Sequence, residues 1–432
     1  MRHYYLSVGT WYPVFMLKIT ADDQRMLDGC GGEAVAMAMR IVTEMGRMQC
    51  AAELVDVNSA HIDSCLYHGL SGVEFAERLV ARGGRVSIPS SLNVGALDLL
   101  HPEKVRLKDP ERDYARRLMN AYVALGCIPT WTCAPYQAGY RPGLGENIAW
   151  AESNAVVFAN SVLGARTNRY GDFMDICCAL TGKAPLTGLH LTQNRFATIE
   201  INTSGLSDKL KRTDVFYAVL GSWLGRNIGS EIAVFSGLPG VVTEDQLKSL
   251  GASAASSGGV ALFHVTGVTP EAETLEKALN HQPAKQVIHL TAALIATERD
   301  RLSTTKSSHL DAIAVGSPHF SVQEFQQLLQ LLDGRKCRIP IIACTGRHVL
   351  EELEQRNWLA SLSQAGVDLL VDTCVVVTRV FPKTSGVLMT NSGKFAHYSP
   401  SLTGHDVVFG SLEDCANSAI AGRLVRAESS WV

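Results

Sequence analysis

Residues 311–316 read DAIAVG and run into Ser317-Pro318-His319, and residues 339–343 read IPIIA and run into Cys344-Thr345-Gly346-Arg347. The pattern recurs at 367–372, VDLLVD before Thr373-Cys374, and at 386–390, GVLMT before Asn391-Ser392-Gly393-Lys394. Each is a short apolar run that stops at small, polar or sulfur-bearing residues. Between them, VQEFQQLLQLLDG (322–334) and HVLEELEQRNWLASLSQAG (348–366) carry apolar residues at helical spacing. Apolar strands alternating with amphipathic helices describe an α/β fold with a parallel sheet covered on both faces. Ligands bind such sheets in the crevice outside the carboxyl ends of the strands. That edge collects Ser317, His319, Cys344, Arg347, Cys374, Asn391 and Lys394, a reactive set.

Working outward, 432 residues are too many for one simple core, so two or three lobes are expected. The formal net charge of −3, without a basic stripe interleaved with aromatics, argues against nucleic acid. Eleven cysteines occur without CxxC pairs or a secreted spacing framework. This reads as a reducing, cytoplasmic compartment with a few ligand or reactive thiols. Residues 1–19 are apolar and aromatic but are broken by Gly9 and Pro13. They are too short to span a bilayer and lack a signal peptide's smooth core and cleavage site. They read as an N-terminal extension, and no membrane is expected as a partner.

Three α/β lobes follow: 20–198, 199–307 and 308–432. Thr20-Ala21-Asp22-Asp23 reads as a helix cap, and Gly29-Cys30-Gly31-Gly32 as a break in the helical run behind it. No strand precedes that glycine cluster and no Gly-Lys-Ser/Thr follows, so it is not a phosphate loop. A strand-like AELVDV (52–57) leads into Asn58-Ser59-Ala60-His61-Ile62-Asp63, the same grammar as the central stretch. His61 there is either a structural hydrogen-bonder or part of a site. Cys133 lies in Thr130-Trp131-Thr132-Cys133-Ala134-Pro135-Tyr136, too constrained for a helix and too polar for a buried strand. It is either a buried structural thiol or a rigidly held ligand. Glu146 and Asn147 are read at the start of a long helix, AWAESNAVVFANSVLGA, where free backbone N–H groups hold anions. Arg166 and Arg169 near its far end are read as caps or carboxylate binders. Adjacent Cys177 and Cys178 point in different directions and are not joint ligands. The middle lobe has strand-like IEINTSG, EIAVFSGLPG and VALFHVTGVTP but no cluster with an evident chemical role.

TWTCAPY (130–136), GENIAWAESNAVVFANSVLGARTNR (145–169), NSAHI (58–62), DTCVVV (372–377) and TNSGKFAHY (390–398) together resemble the large, catalytic part of aconitase X. The resemblance runs in order from Thr20 to the end. It implies an aconitase-superfamily architecture, several lobes around a shared cleft, and an iron–sulfur dehydratase. The family has an archaeal type acting on mevalonate 5-phosphate and a mainly bacterial type dehydrating cis-3-hydroxy-L-proline to Δ1-pyrroline-2-carboxylate. Gly316-Ser317-Pro318-His319, where the archaeal pattern has Cys for Ser317, together with HFS (319–321) and ACTGRH (343–348), resembles the hydroxyproline type. A mevalonate 5-phosphate dehydratase and a catalytically inactive structural subunit are the alternatives.

The resemblance puts Cys133 and Cys374 on cluster positions, with Cys344 and Ser317 competing for the third. A [2Fe-2S] cluster is the expectation, [3Fe-4S] or [4Fe-4S] the alternatives. Lys394, Ser392 and His61 are the candidate bases. Ser59, Asn147, Arg166, Arg169, His319 and Asn391 are candidate binders of a small hydroxy-acid substrate. A small swivel-domain subunit, absent from this chain, is expected in trans.

Overall fold

The computed structural model describes Leu17 through Ala427, so most of the extension read at 1–19 lies outside the described residues. Its last residues are already part of the fold: Leu17 is buried and Lys18 bridges to Glu53.

The N-terminal region has strands β1 (Leu54–Asp56), β2 (Ala60–Ile62), β3 (Ser90–Leu92), β4 (Ala149–Trp150) and β5 (Lys183–Pro185). β1 and β5 form an antiparallel pair, and β3-β2-β4 a parallel sheet. Helices Glu33–Met48, Leu70–Ala81, Glu111–Ala124 and Met174–Thr181 bury one apolar core with them. The middle region holds β6 (Ile199–Asn202), β7 (Ala233–Ser236), β8 (Phe263–Val265) and β9 (Gln286–His289), all parallel in the order β8-β7-β6-β9. β9 is an exposed edge strand, which is why no apolar run announces it in the sequence.

The C-terminal sheet contains β10 (Ala312–Phe320), β11 (Ile341–Thr345), β12 (Val367–Leu370), β13 (Val387–Thr390) and β14 (Asp406–Phe409). Its order is β12-β11-β10-β13-β14, parallel throughout, as the alternating apolar runs require. Because the chain goes from β10 to β11 on one side and returns to β13 on the other, the crevice at the carboxyl end of β10 is the switch point. There β10 leaves its ladder: from Val315 to Phe320 it passes only Ala343 to Thr345 of β11. The surplus residues, Gly316-Ser317-Pro318-His319, bulge out. Gly316 has φ +85°, and a Cβ there would lie 2.1 Å from the Cys344 carbonyl oxygen, so only glycine fits.

One helix expected from sequence is divided. Ala149–Trp150 pairs with β2 as β4, the α-helix is only Ser153–Phe158, and a π turn, Ala159–Leu163, ends at Gly164. Strand pairing in the sheet overrides the helical spacing. Glu146 and Asn147 therefore precede a strand and do not open a helix. The helix N-cap is Glu152, whose carboxylate accepts from the Ala155 N–H at 2.6 Å.

Helices Asp214–Asn227 and Glu244–Ser257 pack backbone to backbone. A Cβ at Gly221 would sit 2.1 Å from the Leu250 carbonyl oxygen, and one at Gly258 2.0 Å from that of Gly225. Gly258→Ala should therefore force the helices apart and cost about 1–3 kcal/mol. Urea unfolding checks this: a midpoint equal to that of the parent protein would contradict the close approach.

Candidate active site

Cys133 is held by the segment around it. Thr130 and Thr132 bond to Leu92 at the end of β3, Thr130 through its hydroxyl and Thr132 through its backbone N–H. The Cys133 carbonyl accepts from Asn154 Nδ2 at 3.0 Å, and that amide also reaches the Tyr136 hydroxyl at 3.0 Å. Tyr136 is stacked on Phe158 with ring centroids 3.5 Å apart. The Cys133 sulfur, buried, accepts from the His319 backbone N–H at 3.3 Å. A loop of the first region thus delivers its thiol to the bulge at the end of β10.

Three buried thiols meet there. Cys344 lies near the end of β11 and Cys374 follows β12; the two thiols are close enough to perturb each other, with Ser317 beside Cys374. Their proximity holds the Cys374 thiol below the ordinary cysteine range and raises that of Cys344. Burial pushes the Cys133 thiol up to about 12, against the pull of Lys394.

Lys394, in the first turn of helix Gly393–Leu402, donates to Glu152 Oε1 at 2.6 Å across the boundary between the first and last regions. Glu152 is buried and Lys394 largely so. Burial alone would neutralise each. The pairing wins: the Lys394 ammonium is held well above and the Glu152 carboxyl below its usual range. Ser392 caps the same helix, accepting from the Phe395 N–H at 3.0 Å and donating to the Ser317 carbonyl. Asn391 lines a small cavity with Gly316, Ser317, Ser392 and Lys248.

His319 is fully buried and uses both ring nitrogens. Nε2 meets the Thr373 carbonyl at 3.1 Å, so it carries the hydrogen, and Nδ1 accepts from the Thr132 hydroxyl at 3.0 Å. The imidazole ties together the Cys133 loop, the β10 bulge and the Cys374 turn. Behind it lies Lys248, which the sequence reading passed over. Its buried ammonium bonds Asp245 at 2.8 Å, Glu324, and the His319 carbonyl at 3.3 Å. Lys248 and Glu152 sit in ordinary amphipathic contexts, so burial, visible only in three dimensions, is what distinguishes them.

His61 lies on β2 with Nδ1 2.8 Å from the Ser91 hydroxyl. His61 Nε2 is buried and without a partner. The remaining candidates have partners elsewhere in the first and middle regions. Asn147 Oδ1 and the Arg166 guanidinium both engage His190, at 2.9 and 3.2 Å. Arg169 donates to the Gly258 carbonyl at 3.3 Å, and the Ser59 carbonyl accepts from the Ala149 N–H at 2.9 Å.

Burial lowers His61 to about 4, and burial followed by Arg195 and Arg166 lowers His190 to about 4. Unfolded, both bind protons near their ordinary 6.5. The unfolded chain therefore takes up more protons, and stability present above pH 6.5 is lost as pH falls toward 4. Each contributes a slope of about 1.4 kcal/mol per pH unit in that window. Urea midpoints at pH 7.5 and 5 should show the loss, and it should shrink in His190→Gln; a flat profile would contradict neutral burial.

Family models for the aconitase X first, second and third domains match residues 16–193, 197–300 and 310–421. A cis-3-hydroxy-L-proline dehydratase of Pseudomonas aeruginosa is 39% identical over 96% of this chain and 72% of that protein. One from Hypocrea jecorina is 39% identical over 94% of this chain and 69% of its own. A phosphomevalonate dehydratase large subunit of Methanosarcina mazei is 32% identical over 95% of this chain and 99% of that one. The crystal structure of Thermococcus kodakaraensis aconitase X (holo-form) superposes with a TM-score of 0.84 at 30% identity, covering 93% and 100% of the two chains. With all three domain models matched in order, and identity of this level along nearly its whole length, the protein is a dehydratase of the aconitase X family.

Proposed function

We propose that this chain is the catalytic part of an iron–sulfur hydro-lyase that converts cis-3-hydroxy-L-proline to Δ1-pyrroline-2-carboxylate. The observation that carries the chemistry is the convergence of Cys133, Cys344 and Cys374 beside the Lys394–Glu152 pair. The substrate choice rests on the identity of 39% to hydroxyproline dehydratases against 36% and 32% to two phosphomevalonate dehydratase large subunits, and on Ser317.

Cys133, Cys344 and Cys374 would hold the cluster, with Ser317 beside them. The donor set fits: three buried sulfurs of the kind iron–sulfur clusters take, next to a buried cation that balances thiolate charge. Among the described residues no three His, Cys, Asp or Glu are grouped as a single metal ion needs. A cluster is larger than one ion and takes its ligands from further apart. With three thiols we favour [2Fe-2S]. When bound, such a centre supplies a Lewis-acidic iron for a departing hydroxide.

The protein's own groups divide the remaining work. A base for the α-proton must be unengaged, and among Lys394, Ser392 and His61 it is His61 whose ring nitrogen, Nε2, has no partner. Lys394, paired with Glu152, acts as a cation toward the developing negative charge. Ser392 holds the Ser317 carbonyl and so the bulge. We also read three lobes at 20–198, 199–307 and 308–432, and a small swivel-domain partner in trans. Archaeal relatives named as large subunits support that partner, since one of them is matched over 99% of its length.

Replacing Cys133 or Cys374 by alanine should abolish bound iron in anaerobically purified protein; full iron content in either variant would overturn the ligand assignment. Assayed with a co-expressed small partner, the protein should dehydrate cis-3-hydroxy-L-proline and leave mevalonate 5-phosphate untouched. The opposite preference would overturn the substrate reading.

A further inference from the structure

The sheet β3-β2-β4 aligns more than its strands. His61 stands opposite Ser91 on one side and Trp150 on the other. These side chains share a face: His61 bonds Ser91, and its ring lies 5.7 Å from that of Trp150. Side chains two residues further along a strand return to the same face. That makes Asp63, Asn93 and Glu152 a second row, just past the carboxyl ends of the strands. Asn93 Nδ2 donates to Asp63 Oδ1 at 2.5 Å, and Glu152 reaches Lys394.

This second row leaves acceptors over. Because the Asn93 NH2 faces Asp63, its Oδ1 is the free end, and that oxygen is buried without a partner. His61 Nε2, one row back, is also buried and unpartnered. Carboxylates stand on two of the three strands. Burial, and then the neighbouring Glu152, push Asp63 up to about 7, so a cation bound there relieves an unfavourable anion.

We propose that Asp63, Asn93 and Glu152 form a subsite for the protonated ring nitrogen of a cyclic amino-acid substrate; this deepens the hydroxyproline reading and rests on it. A secondary ammonium has two N–H bonds, matched by the Asp63 carboxylate and the Asn93 carbonyl, with Glu152 supplying further negative charge. The ring nitrogen adjoins the α-carbon, and the α-proton then falls toward His61 Nε2 in the neighbouring row. A phosphorylated hydroxy acid without nitrogen brings no cation to this row, only negative charge, so the subsite also selects against it.

The test compares two unreactive ligands on the iron-loaded protein by calorimetry: L-proline, and tetrahydrofuran-2-carboxylate, in which oxygen replaces the ring ammonium. The parent protein should prefer L-proline by roughly 10- to 100-fold, the scale of hydrogen bonds to a charged group. Asp63→Asn and Asn93→Leu should each lose most of that preference while keeping iron content and binding of the oxygen analogue. Equal affinity for the two ligands in the parent, or no binding of L-proline, would overturn the subsite whatever the variants do. A preference that survives both substitutions would overturn its assignment to these residues. A preference lost as expected, in a protein that fails to turn over cis-3-hydroxy-L-proline, would reject the substrate reading while the ammonium subsite stands.

Discussion

A lysine and a glutamate taken out of water together, 2.6 Å apart, constrain most of what surrounds them. Each ion loses several kcal/mol of hydration on burial, and their attraction repays this only when geometry and extra hydrogen bonds are good. Glu152 has such a bond from the Ala155 N–H, and Lys394 has the sulfurs of Cys133 and Cys374 nearby. Since Glu152 follows β4 and Lys394 follows β13, neither charge is compensated until the two regions dock. The same seam carries the bidentate pairing of Arg347 with buried Asp372, whose backbone carbonyl accepts from the Gly95 N–H and whose carboxylate accepts from that of Leu99. The seam between the first and last regions thus carries two ion pairs and backbone bonds that form only when both are in place.

Much of this was legible in the chain. The four apolar runs from Asp311 to Thr390 became the centre of a parallel sheet because strands buried on both faces must be apolar throughout. The placement of Ser317, Cys344, Cys374 and Lys394 at one edge followed from that alone. What escaped has a common cause. β4 and the helix behind it share one helical-looking stretch, and only pairing with β2 separates them. β9 is exposed, so periodicity was silent. Lys248 and Glu152 look like surface residues in sequence; their burial depends on partners far along the chain, Glu324 and Lys394.

The histidines illustrate the same limit from the other side. His61 and His319 were both read as chemistry-bearing, and both are fully buried. The structure separates them by what their nitrogens touch. His319 has each nitrogen engaged and serves as a knot among three segments, whereas His61 has one engaged and one bare. No spacing rule distinguishes these states, because the difference lies in neighbours contributed by β3 and by the turns at Thr132 and Thr373.

The bulge at Gly316–His319 has an evolutionary consequence. At position 317 the scaffold is maintained around the backbone: the carbonyl is held by Ser392, the preceding glycine packs against the Cys344 backbone, and the following turn is held by His319. The side chain itself carries little of that structural work and is turned toward Cys374. Most serine codons lie one nucleotide from a cysteine codon. From those, a lineage can exchange a hydroxyl for a thiol here in one mutational step, changing what the chain presents beside Cys374 without refolding the protein around it.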